Sequence, residues 1–116
     1  MKDRPQFRAE LSQHADDVAV VTVEGEVDLY TAPEFKEVLL GAVDEGARHV
    51  IVDLSAVTFV DSTALGVLVA GGKRLLDDGW LRIVCHDDRI RRILEIAGLA
   101  GVFALFLTLD EALAAG

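Results

Sequence analysis

The chain has 116 residues, a formal net charge of −9 at pH 7 and 52% apolar residues. This length suits one domain with one hydrophobic core, which we expect to span residues 1–116. The negative charge argues against a nucleic acid ligand, because a phosphate backbone would be repelled. No apolar run approaches the roughly 20 residues that cross a bilayer, and no leader peptide is readable, so we expect a cytoplasmic protein without membrane insertion.

The first half of the chain predicts a β-hairpin followed by a helix. Apolar and polar residues alternate over residues 7–13, and residues 18–23 are rich in β-branched side chains, with a turn at residues 15–17 between them. From Thr31 onward, apolar residues recur at helical spacing. Thr31 is the candidate cap of this helix, and Gly46 marks its end.

Strands and helices alternate in the rest of the chain. Continuous apolar segments at residues 49–54 and 81–85 are typical of strands that are covered on both faces of a parallel sheet. A helix from about Ser62 lies between them. After these we expect a helix capped by Asp88 with Ile90, Ile93, Leu94 and Ala97 facing inward, a strand at residues 102–105, and a helix with a capping box of Thr108 and Glu111.

This order of elements predicts an α/β fold. We expect one mixed, mostly parallel sheet of four to five strands, with an N-terminal hairpin and about four α-helices. Right-handed crossovers would bring the loops after Val23, Leu54 and Cys85 to the carboxyl edge of the sheet, where open α/β folds bind their ligands. Cys85 is the only cysteine, and its apolar surroundings predict a buried, inert thiol.

Two predicted loops at this edge carry polar residues, at positions 24–28 and 55–62. Asp61 and Ser62 stand where the second loop enters a helix, so either residue could be the N-cap. Most serines at such positions only cap the helix, and the local sequence alone favours that interpretation. Phe59 and Val60 are either core residues or an exposed contact, and the core is favoured.

The segment of residues 61–68 resembles the phosphorylation motif of anti-sigma-factor antagonists in the STAS domain family. Residues 25–28, followed by Thr31, Ala32 and Pro33, resemble the other recurrent loop of that family. The predicted order of elements agrees with the STAS fold from end to end. The resemblance therefore covers essentially the whole chain.

The resemblance implies a partner-switching cycle. The unphosphorylated protein would bind an anti-sigma factor that is also a serine kinase of the GHKL ATPase type, and would thereby free a sigma factor for transcription. Phosphorylation by that kinase would end the interaction, and a phosphatase would reset it. The motif makes Ser62 the phosphate acceptor, and the implied partner-binding residues are Asp28, Thr31, Asp61, Ser62, Thr63, Ala64 and Gly66.

One position departs from the family pattern, because Ala64 stands where glycine is commoner. This difference raises the question of how closely the backbone of a partner can approach there. Thr63, the hydroxyl residue adjacent to Ser62, is normally not the acceptor in the family.

Two other functions are compatible with parts of the sequence. A hydrolase could use Ser62 with His14, His49 or His86, but Ser62 lacks the Gly-x-Ser-x-Gly elbow, so we expect a binding protein without catalytic residues, cofactor or metal. The second alternative is a non-enzymatic STAS module that acts as a scaffold in a stress-signalling complex, or as the small cytoplasmic subunit of a transport ATPase.

Overall fold

The computed structural model describes residues 7–15, 17–75 and 77–115. Strands and helices alternate along most of this length, as the sequence predicts. In chain order the elements are β1 (Arg8–Ala15), β2 (Val18–Val27), α1 (Ala32–Asp44), β3 (His49–Val60), α2 (Ser62–Arg74), β4 (Trp80–Val84), α3 (Asp88–Ile96), a 3₁₀ turn (Leu99–Gly101), β5 (Ala104–Phe106) and α4 (Leu109–Ala114).

The strands form one sheet in the order β1-β2-β3-β4-β5. β1 is antiparallel to β2, and the other neighbouring pairs are parallel. The predicted α/β class, mixed sheet and N-terminal hairpin are therefore confirmed. Because β2, β3 and β4 are parallel, their carboxyl ends share one edge of the sheet.

The second and third strands are longer than predicted. β2 continues past Val23 to Val27, and β3 continues past Leu54 to Val60, so most of the two predicted loops is strand. The β2–β3 register shifts between Thr22 and Glu24 and again between Gly25 and Glu26. Such bulges interrupt the two-residue alternation from which a strand is recognised in a sequence, which explains the error.

The start and the inward face of α3 differ from the prediction. Asp87, not Asp88, caps the helix, because its carboxylate accepts two backbone amides of the first turn at 2.8 and 3.2 Å. Four residues of α3 and its C-cap were expected to face inward. Ile90 and Leu94 are buried, as expected, whereas Ile93 and Ala97 are exposed. The helix therefore contacts the core along a narrower stripe than its sequence suggests.

The last strand and helix lie near their predicted places. The strand predicted from residue 102 begins instead at Ala104. Val102 ends the preceding 3₁₀ turn, and its side chain is exposed. Thr108 caps α4 by accepting the Glu111 amide at 3.1 Å, as predicted. The carboxylate of Glu111 accepts the Leu107 amide at 3.2 Å, one residue before the position expected for a capping box.

The core lies mainly on the face of the sheet that α1, α2 and α3 cover. Its largest fully buried side chains include Phe35 on α1, Leu68 on α2 and Leu94 on α3. α4 packs on the opposite face, where Ala112 completes a smaller cluster. Cys85 is buried and unpaired, as predicted, and burial raises the pKa of its thiol. Among the described helices, none is long and apolar enough to span a membrane.

Gly79 allows the chain to enter β4 beside β3. A Cβ atom at this position would lie 1.9 Å from the carbonyl oxygen of Arg48, which accepts the Trp80 amide at 3.1 Å. We predict that Gly79→Ala destabilises the fold by about 1–3 kcal/mol, because either the backbone or this hydrogen bond must move. Thermal unfolding followed by circular dichroism measures the effect.

Gly41→Ala is the matched control, since a Cβ at this position in α1 has no atom within 4 Å. It should stabilise the helix by up to about 1 kcal/mol. Equal melting temperatures for wild type and Gly79→Ala would contradict the assigned packing at Gly79.

Candidate functional site

The carboxyl ends of β2 and β3 bring the two polar segments together. Val27 pairs with Val60, and the Asp61 amide donates to the Val27 carbonyl oxygen at 3.2 Å. The turn that follows β2 and the first turn of α2 are therefore neighbours. The site consists of these two segments and the surface of α1 and α2 beside them.

Asp61 is the N-cap of α2, which decides between the two caps that the sequence allows. Its carboxylate accepts the Thr63 amide at 2.8 Å and also the Thr63 hydroxyl. These hydrogen bonds, that of the hydroxyl above all, lower the pKa of Asp61 below its ordinary value. Asp61 is therefore ionised at neutral pH, and it occupies the position where the helix end stabilises negative charge.

Ser62 is the first residue of α2, and its side chain is exposed. Its hydroxyl makes no hydrogen bond to any residue that the structure describes. The neighbouring Thr63 hydroxyl, in contrast, donates to Asp61. Of these two adjacent hydroxyl groups, only that of Thr63 already donates a hydrogen bond within the described part of the protein.

Asp28 and Thr31 close the turn between β2 and α1. One oxygen of the Asp28 carboxylate accepts the amides of Tyr30 and Thr31 at 2.9 and 3.1 Å. The Thr31 hydroxyl accepts the Asp28 amide at 3.0 Å and donates to the Glu26 carbonyl oxygen at 2.8 Å. Thr31 is the N-cap residue of α1, as expected, but its side chain makes no capping hydrogen bond, because its hydroxyl bonds backward to the turn and not forward into the helix.

The turn presents apolar side chains to solvent. Leu29 is 65% exposed and Tyr30 is 80% exposed. Near the end of β3, Phe59 is 48% exposed, whereas Val60 is buried, so the favoured assignment of both to the core is wrong for Phe59. Neither Leu29 nor Tyr30 is among the partner-binding residues expected from the sequence. Two large apolar residues inside a predicted turn were the signal that could have revealed them.

A shallow groove of about 520 Å³ runs between α1 and α2 beside Ser62. Leu29 and Thr63 stand at its end near the site, and Lys36 is the one charged residue of its described lining. The turn contributes Leu29 to its walls, and the two helices contribute Ala32, Pro33, Lys36, Thr63, Gly66 and Val67. The groove continues the exposed surface at Ser62 along the molecule.

Ala64 and Gly66 lie on different sides of α2. Ala64 is 2% exposed and packs into the core, so its methyl group is not at the surface and does not limit the approach of a partner. Gly66 is exposed, and a Cβ at this position would meet no atom within 4 Å. The fold itself therefore does not require glycine at position 66.

Two of the three histidines of the hydrolase alternative lie far from Ser62, and none of the three forms a hydrogen bond with Ser62 in the described part of the chain. His49 is at the start of β3 and Ser62 lies beyond its end, about 35 Å away along the strand. His49 instead approaches Asp17 at 3.2 Å and stacks on Trp80. His14 is near the end of the antiparallel strand β1, and so at the same far edge as His49.

Comparison with known proteins gives the same family as the sequence motifs. The STAS domain family matches residues 11–112. An anti-sigma-B factor antagonist of Staphylococcus aureus is 45% identical over 80 residues, which are 68% of this chain and 74% of the relative. The crystal structure of an anti-sigma factor antagonist from Mycobacterium paratuberculosis has a TM-score of 0.87 and 33% identity, and covers 93% of this chain and 92% of its own.

The fold is also that of SpoIIAA of Bacillus, an anti-sigma factor antagonist. Its unphosphorylated form has a TM-score of 0.72 at 16% identity over 90% of this chain and 93% of that one. Its phosphorylated form has the same TM-score at 19% identity, over 91% of this chain and 96% of that one. Family match, relatives and fold agree, and the chain belongs to the STAS domain family.

Proposed function

We propose that this protein is an anti-sigma factor antagonist, a regulatory binding protein and not an enzyme. The names of the Staphylococcus aureus relative and of the Mycobacterium paratuberculosis protein support this function. In its unphosphorylated form it binds an anti-sigma factor serine kinase of the GHKL type and so releases a sigma factor. A protein with this role works in the cytoplasm, where transcription takes place.

The free Ser62 hydroxyl is the observation that carries the proposed phosphorylation. Ser62 is exposed at a helix start, whereas Thr63 donates its hydroxyl hydrogen to Asp61. A kinase that reaches this turn therefore finds one unbonded hydroxyl group. SpoIIAA, which is similar to this chain in fold, has been solved in a phosphorylated form. A phosphatase must remove the phosphate from Ser62 to restore binding.

Phosphate on Ser62 would act on binding through charge. It adds about −1.5 to −2 charge at pH 7. A helix N-terminus with free amides would attract the phosphate. Here the carboxylate of Asp61 already accepts the Thr63 amide, so the phosphate would lie beside a negative charge. At an interface, both charges must also lose water, which weakens binding while the fold of the free protein stays intact.

The partner surface that we propose extends beyond the sequence motif. Besides Ser62 it includes the exposed Leu29 and Tyr30, the exposed ring of Phe59, and the groove that passes Gly66. Aromatic residues are enriched at protein interfaces relative to the rest of the surface. Asp28, Thr31, Asp61 and Thr63 give this surface its shape through the hydrogen bonds described above.

We predict that substitutions at Ser62 separate binding from phosphorylation. Ser62→Ala should fold, bind the anti-sigma factor kinase of the same organism and accept no phosphate. Ser62→Glu should fold but bind about a hundredfold more weakly, a loss of about 3 kcal/mol, because it places a permanent charge beside Asp61. Isothermal titration calorimetry measures the affinities, and intact mass after incubation with kinase and ATP measures the phosphate.

Equal affinities of Ser62→Ala and Ser62→Glu would exclude the charge mechanism. Phosphate that maps to Thr63 would show that its bond to Asp61 does not protect it. Binding of a different partner without phosphorylation at any residue would support the scaffold or transport-subunit alternative.

Two substitutions at Asp28 should separate the shape of the turn from its charge. Asp28→Ala removes the acceptor of the Tyr30 and Thr31 amides, and we expect it to cost about 1–2 kcal/mol of stability and to weaken partner binding. Asp28→Asn keeps an acceptor oxygen, so it should retain most of the stability. If Asn also retains binding, Asp28 acts by shaping the turn. If it loses binding at normal stability, the charge itself contacts the partner.

Gly66→Ala should stabilise the free protein and weaken its complex. In a helix, alanine is favoured over glycine by about 1 kcal/mol, and the open space above Gly66 accepts the methyl group. In the complex this methyl would occupy space that we assign to the partner, so affinity should fall about tenfold. Gly41→Ala, on α1, is the control with the same gain in stability and unchanged affinity. An unchanged affinity for Gly66→Ala would remove the groove from the interface.

A further inference from the structure

A second concave surface lies at the other end of α2, away from Ser62. It is a pocket of about 540 Å³ between the last turns of α2, the start of β4 and the segment that leads into β5. Its apolar walls include Val69, Leu75, Trp80, Leu99 and Phe103. Its volume lies within the range of about 300–1,000 Å³ that small-molecule sites occupy.

The pocket exists because β5 is short. Pairing of β5 with β4 begins at Ala104, opposite Arg82. Among the described residues, no strand therefore lies beside Trp80 and Leu81 on that side, and both residues border the pocket. The Trp80 amide donates to Arg48 on the β3 side, so the amide of Leu81 points to the opposite side, toward the pocket. This amide is a hydrogen-bond donor next to an apolar space.

The charged side chains of the described lining are cationic, although the chain as a whole carries a net charge of −9. Arg82 is 8% exposed and donates to the carbonyl oxygens of Ala112 and Ala115 at 2.8 and 3.0 Å, which holds α4 in place. Lys73 is exposed and forms no ion pair with a described residue, whereas its neighbour Arg74 pairs with Asp44. Lys73 is thus the cation available to a ligand.

From these features we propose that the pocket binds a small amphipathic carboxylic acid. The apolar walls take the hydrocarbon body of the ligand, and the ammonium group of Lys73 pairs with its carboxylate. The backbone amide of Leu81 adds a second hydrogen-bond donor to the pocket. Because both Lys73 and this amide are donors, they favour a ligand with hydrogen-bond acceptors, such as a carboxylate. This site is separate from the surface at Ser62, and the proposal is independent of the function assigned to that surface.

Trp80 makes the proposal testable, because it is the only tryptophan of the chain and it lines the pocket. Decanoate, titrated below its micelle concentration, should change the intrinsic fluorescence saturably with one binding site. The neutral alcohol 1-decanol should bind more weakly. Lys73→Gln should weaken decanoate binding about threefold to fivefold, the effect of one exposed ion pair, and should leave decanol binding unchanged.

Two further variants serve as controls. Lys36→Gln removes the same charge from α1, outside this pocket, so it should leave decanoate affinity unchanged. Val69→Phe adds volume at a half-exposed wall position and should abolish the signal for both ligands at an unchanged melting temperature. Absence of a saturable signal would overturn the proposal. So would equal binding of acid and alcohol, equal effects of the two lysine substitutions, or full binding by Val69→Phe.

Discussion

The parallel pairing of β2 with β3 is the constraint on which the rest of the site depends. It continues to Val27 and Val60, and the Asp61 amide adds one more bond to the Val27 carbonyl oxygen. This bond joins the turn before α1 to the first turn of α2. Residues that are more than 30 positions apart in the sequence thereby form one surface. Without this pairing, Asp28 and Ser62 would belong to two unrelated loops.

The site contains two kinds of residue. Asp28, Thr31, Asp61 and Thr63 use their side chains within the protein, where they satisfy backbone amides and one another. In each of the two carboxylates these hydrogen bonds use one oxygen atom, Oδ1. The exposed residues beside them, among them Leu29, Tyr30 and Ser62, have no such role in the fold. The site thus combines a hydrogen-bonded polar framework with exposed apolar side chains around the Ser62 hydroxyl.

The distribution of charge limits what this surface can do. Asp61 is held in its ionised form by the hydroxyl and amide of Thr63, which lower its pKa. A phosphate added to the next residue cannot replace it at the helix end without breaking those hydrogen bonds. The result is two negative groups side by side on a surface that otherwise offers apolar contacts. On the function proposed above, binding would therefore be sensitive to this one modification, while the buried core on the other side of α2 would be unaffected.

The sequence by itself determined the class of fold, the order of its elements and the family. Periodicity is a local property, so the alternation of strands and helices could be read without any knowledge of tertiary contacts. The motif at residues 61–68 predicts Ser62 as the phosphate acceptor, and the side chains typical of N-caps limited the cap of α2 to Asp61 or Ser62.

Tertiary structure decided what depends on contacts between distant residues. The bulged ends of β2 and β3, the choice of Asp61 as the cap and the backward bond of Thr31 all follow from the neighbouring strand or turn. Exposure of Leu29, Tyr30 and Phe59 and burial of Ala64 depend on which side of an element meets the core. An apolar residue has the same local pattern in a core and in an interface, and only packing distinguishes the two.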